Sequence, residues 1–159
     1  MSNSAKAGFF EKPFEELAAG DVLETPAHKV TEVDLLGFSA LTGDWHPQHT
    51  DPVWAADGPF GERIAHGMLV LSLATGLLPL EPRWVMALRR VQDVVFKRPV
   101  AIGDSIRVRV AVATTSDLPG FYGTVRLRMR VLNQDDRAVA VGTLEALWRK
   151  HVVDCELSL

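Results

Sequence analysis

Residues 66–80 read His66-Gly-Met-Leu-Val-Leu-Ser-Leu-Ala-Thr-Gly-Leu-Leu-Pro-Leu80. No charge interrupts the run, and apolar side chains fall on every face of the helix it would form. Such a helix is normally covered on all sides. The run is long and rich in Leu, Met and Ala, which favours one buried helix over a pair of short strands. It falls short of the roughly 20 apolar residues needed to span a bilayer. The segment therefore predicts a central helix that something else must cover.

The cover is legible downstream, where the period changes to two. Ile106, Val108, Val110 and Val112 alternate with Arg107 and Arg109, and Val125, Leu127, Met129 and Val131 alternate with Arg126, Arg128 and Arg130. Each set describes a half-buried antiparallel strand. Asp117-Leu-Pro-Gly120 and Asn133-Gln-Asp-Asp136 supply the turns. Further strands are expected over 84–96 and 138–150. Upstream, 21–30 reads as an opening strand. Thr31 and Asp34 then form an N-terminal cap for a helix that Gly43 ends, with Val33, Leu36, Phe38 and Leu41 continuing its apolar pattern. Asp51-Pro52 starts a second, short helix that Gly58-Pro59 breaks. An antiparallel sheet wrapped around an apolar helix is an α+β arrangement.

At 159 residues, 47% of them hydrophobic, the chain suits one domain with a real core, and no linker or repeat divides it. The single Cys155 offers no internal disulfide or Cys-rich zinc site. The first sixteen residues lack the apolar region of a signal peptide, so a cytoplasmic protein is expected. The net charge of −3 is unevenly divided: residues 1–80 carry four Lys/Arg against eleven Asp/Glu, and residues 81–159 carry thirteen against nine. The split points either to an anionic partner for the second half or to two differently patterned surfaces. The strand arginines lack the interleaved aromatics that stacking on bases requires, which argues against nucleic-acid binding.

Chemistry concentrates in Gly43-Asp-Trp-His-Pro-Gln-His-Thr-Asp51, where Gly43 and Pro47 prevent regular helix. No P-loop, dinucleotide fingerprint, zincin or serine-hydrolase motif is present. Asp44 and His49 form an acid/base pair able to share one water. Two other readings stand beside it. Asp44 or Asp51 could merely cap backbone, with the histidines solvated. Asp44, His46, His49 and Asp51 could hold a metal, though nothing distant completes such a set. Gly67, at the entrance to the apolar helix, permits close approach to unpaired amides and a positive dipole end. Its other reading is close helix–sheet packing. His66 is expected to be a buried histidine bonded to nearby backbone.

Phe38-Ser-Ala-Leu-Thr-Gly-Asp-Trp-His-Pro-Gln-His49, Ile64-Ala-His-Gly-Met-Leu69 and Phe96-Lys-Arg-Pro-Val-Ala-Ile-Gly-Asp104 together resemble the MaoC-like family, which includes the R-specific enoyl-CoA hydratases. The resemblance spans about residues 15–150, within a single domain of 1–159. It implies a hot-dog fold, usually dimeric, acting without a cofactor or metal on an acyl-CoA or acyl-carrier-protein thioester. The implied reaction is reversible hydration of a trans-2-enoyl thioester to a 3-hydroxyacyl thioester. The motif aspartate falls on Asp44, the motif histidine on His49 and the glycine whose amide faces the thioester oxygen on Gly67. A helix serine that orients active-site groups falls on Ser72. Where the family commonly has asparagine, this chain has His46, which either adds a third titratable group beside Asp44 or replaces the amide's hydrogen bonds. His46, Ser72 and Trp45 are thus candidate substrate-binding or orienting residues. Trp45 and Trp54 would narrow the acyl pocket or simply belong to the core. Arg89, Arg90, Lys97 and Arg98 are candidates to meet the phosphates of CoA or an acidic carrier surface. A thioesterase and a non-catalytic thioester-binding subunit are the alternatives on the same fold.

Overall fold

The computed structural model describes residues 8–151; Cys155 lies outside them. After two short 3-10 turns (Gly8–Glu11 and Phe14–Glu16), the chain forms β1 (Val22–Glu24), β2 (His28–Lys29), α1 (Glu32–Thr42), α2 (Pro47–Thr50), α3 (Pro52–Ala56) and α4 (Gly67–Leu77). Four long strands follow: β3 (Val85–Phe96), β4 (Ser105–Asp117), β5 (Tyr122–Leu132) and β6 (Ala138–Arg149). The sheet runs β1-β4-β5-β6-β3, with β2 also on β4, and every pairing is antiparallel.

The alternating residues of β4 and β5 behave as their period demands. Ile106, Val108, Val110, Val112, Val125, Leu127, Met129 and Val131 are all buried, and the intervening arginines lie on the opposite face. Leu69, Val70, Leu71 and Ala74 of α4 join this core. Burial of each large aliphatic side chain is worth about 1.5–3 kcal/mol. Trp148 closes one end, wholly buried against Phe10 (centroids 5.5 Å apart) with its indole N–H donating to the Lys12 carbonyl at 2.9 Å.

Three local expectations are corrected. The opening strand is split, because Pro26 follows Thr25 and lacks an N–H for the ladder. Thr25 bridges the break through its amide to the Val108 carbonyl and its hydroxyl from the Val108 amide, each 2.9 Å. The helix α1 is capped as expected, by a Thr31/Asp34 capping box and by Gly43 at φ 80°. Its inner face is Leu35 and Ser39 with Phe38 packed half-buried against the core, while Val33 and Leu41 are 78% and 82% exposed. Finally, α4 is not covered all round: it lies on one sheet, so the stripe Met68, Ser72 and Gly76, spaced four apart, stays exposed.

The charge division is partly internal. Glu24, from the acidic half, accepts from Arg107 Nε at 2.6 Å and pairs with Arg109 at 2.7 Å, and Arg107 also reaches Asp136. The Arg107 hydrogen bond is the main cause that holds the Glu24 carboxyl below its ordinary range.

β3 is irregular. Its register against β6 slips after Val85, Leu88 and Gln92, and Asp93 takes a φ of 53° at the last slip. Val91 therefore pairs with buried Leu144, and Phe96, five residues on, pairs with buried Ala140. An odd separation places both on the inner face only because one residue has been absorbed.

Candidate active site

Gly43 ends α1 in a left-handed conformation and releases the chain into the loop that carries Asp44. The Thr42 hydroxyl accepts from the Asp44 amide (3.3 Å), and Asp44 Oδ1 accepts from the His46 amide (3.2 Å). His46 caps α2, its Nδ1 accepting from the Gln48 amide at 3.1 Å. An imidazole here makes the side-chain cap that an asparagine oxygen makes elsewhere. Gln48 is buried and donates to the Glu62 carbonyl at 3.0 Å, tying α2 to the loop before α4. Asp51 Oδ1 accepts from the amides of Val53 and Trp54, so this carboxylate caps α3.

His49 is fixed from the other side. Its Nδ1 lies 2.7 Å from the Ile64 carbonyl oxygen. A carbonyl only accepts, so Nδ1 carries the proton and the neutral ring presents Nε2 as a lone pair. A carboxylate oxygen of Asp44, a ring nitrogen of His49 and a ring nitrogen of His66 lie within 4.8 Å of one another. His66 is 3% exposed, and its Nε2 sits 3.1 Å from Ser39 Oγ and 3.2 Å from the Asp44 carbonyl. Burial is the largest cause pushing the His66 imidazole below its ordinary pKa, which favours the neutral ring.

The expected backbone bond of His66 is present, but sequence reasoning missed its contact with His49, whose ring it faces at 3.8 Å between centroids and 26° between planes. No spacing signal announces a stack between residues seventeen positions apart. The four-residue metal set does not gather: Asp44 and His49 group with His66 instead, while Asp51 Oδ1 and His46 Nδ1 serve as helix caps. The trio that does gather suits an ion poorly. An imidazole donates in its ring plane, and two nearly parallel rings would leave a shared ion about half their separation out of each plane.

Gly67 is the first residue of α4, where an amide has no acceptor within the helix. Phe96 packs against it so closely that an added Cβ would lie 2.8 Å from the ring, so the packing reading of this glycine also holds. Ser72 donates to the Met68 carbonyl at 2.7 Å and is exposed. Trp45 is 56% exposed and Trp54 stands outward, edge-on to His46; neither belongs to the core. Two clefts meet at His49 and Gly67. One, of about 300 Å³, runs past Val70 and Phe96 to Lys97 and Arg98. The other, of about 360 Å³, is walled by Phe38, Thr42, Asp44, His66 and Met68. Ser72 and Trp45 line neither cleft. Of the four basic candidates, Lys97 and Arg98 stand on a cleft wall. Arg89 and Arg90 lie at least seven residues back along β3, roughly 20 Å away.

A sheet packed on a single apolar helix, with polar groups gathered at that helix's N-terminus, is the hot-dog architecture. A Mycobacterium tuberculosis protein described as a double hot-dog fold aligns with 91% of this chain and 46% of its own at a TM-score of 0.79 and 24% identity. The chain belongs to the MaoC like domain family, whose model matches residues 14–130. It is 41% identical over 102 residues to protein MaoC of Klebsiella aerogenes and 37% identical over 100 residues to a 3-hydroxybutyryl-CoA dehydratase of Methylorubrum extorquens. These matches cover 64% and 63% of this chain. They span only 30% and 63% of those two proteins, less than two thirds of either. The unliganded R-hydratase of Pseudomonas aeruginosa aligns with 87% of this chain and 86% of its own, with a TM-score of 0.73 and 33% identity. Among the described residues, no helix is long and apolar enough to cross a membrane.

Proposed function

We propose that the protein is a hydratase/dehydratase that interconverts trans-2-enoyl and 3-hydroxyacyl thioesters carried on CoA or an acyl carrier protein. The observation that carries this reading is the pairing of Asp44 with a His49 whose Nε2 is left basic by the Ile64 carbonyl, beside the amide of Gly67. In the hydration direction, Asp44 and His49 hold one water. His49 Nε2 takes its proton as the oxygen bonds to C3. The C2=C3 electron pair moves toward the thioester carbonyl, whose oxygen the Gly67 amide stabilises as charge develops. The proton then passes to C2, which restores the site. The kinship to R-hydratases supports the R product.

Loss of enoyl absorbance from crotonyl-CoA, followed by chiral analysis of the 3-hydroxybutyryl product, tests the assignment. An R product is expected. Free thiol released at the same rate would instead support the thioesterase reading, and tight binding without turnover the non-catalytic one.

A second copy of the chain is the expected occupant of the outer edge of β3. This twelve-residue edge strand exposes Leu88, Val91, Val95 and Phe96. Such an edge is a template for pairing, and a strand antiparallel to its own copy is self-complementary across a twofold axis. Sedimentation equilibrium should give twice the 17.5 kDa chain mass; a monomer at micromolar concentration would overturn this assignment.

A further inference from the structure

We infer that His66 is a positioning residue, whose buried ring backs the His49 imidazole while its Nε2–H holds the backbone carbonyl of Asp44. The inference rests on the acid/base reading of Asp44 and His49. The ring is held between the His49 ring at 3.8 Å and the Phe38 ring at 5.1 Å. Because the Asp44 carbonyl only accepts, Nε2 carries the proton, and the Ser39 hydroxyl 3.1 Å away adds a tether to α1. That tautomer leaves Nδ1 as a bare lone pair, buried and without a partner among the described residues. A buried acceptor left unbonded has a cost, and the contacts that Nε2 and the ring face make are what offset it.

One residue thus joins four parts of the site. It bonds the loop bearing Asp44, stacks on the histidine of α2, tethers to α1 and, as N-cap of α4, directly precedes Gly67. Its neutrality, favoured by burial, also keeps a second positive charge away from His49 when that ring takes up a proton. The charged or titratable groups facing it are Asp44 and His49.

Two substitutions separate the contacts. His66→Phe keeps a ring against His49 and removes the donor to Asp44. His66→Gln keeps a donor and removes the ring. Each is expected to lower kcat by about 30- to 100-fold with KM within about twofold, because misplacement of an acid/base pair acts on the reaction rather than on binding. Nitrogen-15 imidazole spectra supply the readout that a merely structural role would not move. His49 should show a single Nδ1–H tautomer in the unsubstituted protein, and a mixed tautomer in His66→Gln. An unchanged His49 signal in the folded variants overturns the inference, whatever happens to kcat or stability. If the unsubstituted protein hydrates no enoyl thioester, the proposed function fails while the spectra still decide whether His66 positions His49. Should His66→Phe not fold, His66→Gln carries the measurement alone.

Discussion

Asp44→Asn should reduce kcat for crotonyl-CoA hydration by about 10³-fold, equivalent to roughly 4 kcal/mol of transition-state stabilisation, with little change in melting temperature. The substitution is nearly isosteric, and the amide oxygen can still accept from the His46 amide, so the loop between α1 and α2 keeps its shape. What disappears is the negative charge within 4.8 Å of His49 and one acceptor for the water. In the proposed reaction Asp44 and His49 share one water, so the Asp44→Asn/His49→Gln double variant should lose little more than either single one. Turnover above a tenth of the parent rate in Asp44→Asn would remove Asp44 from the reaction.

The second large effect is assigned to one backbone N–H. Phe96 obstructs any side chain at Gly67, so the test is run with Phe96→Ala present. In that background Gly67→Ala keeps the amide, and Gly67→Pro removes it. Proline is tolerated at the first position of a helix. The preceding His66, at φ −57° and ψ 139°, already has the conformation favoured before proline. Gly67→Pro should run about 10²–10³-fold slower than Gly67→Ala, the usual effect of losing one oxyanion donor. Equal rates would mean that the glycine serves only the contact with Phe96.

What was readable in the sequence is what depends on neighbours along the chain. The capping box of Thr31 and Asp34, the Asp51 cap, the termination at Gly43 and the alternation in β4 and β5 are local chemistry, and each lies where the pattern puts it. The inner face of α1 was misread because Ser39 is buried through a hydrogen bond to His66, 27 residues away. Its polarity concealed the face, and exposed Val33 and Leu41 imitated one. The outward stripe of α4 was misjudged because hydrophobicity alone does not tell how many layers cover a helix. In the candidate site, Asp44, His49 and Gly67 are expected from motif order, and the structure places all three on one cleft. Ser72, expected from the resemblance, and Trp45, expected as a pocket-narrowing aromatic, line neither cleft. The stack of His66 on His49 needed the fold itself, since only tertiary packing brings the two rings together.

The slip at Asp93 has a consequence for how the pocket is encoded. Strict alternation continued from Val91 would turn Val95 inward and Phe96 to solvent. The absorbed residue instead pairs Phe96 with buried Ala140 and sets its ring against Gly67. Phe96 is thus aimed by the number of residues before it rather than by their chemistry. Removing one residue at Asp93 would redraw this wall while every side chain that lines it kept its identity. The width of the cleft over Gly67 is written in chain length.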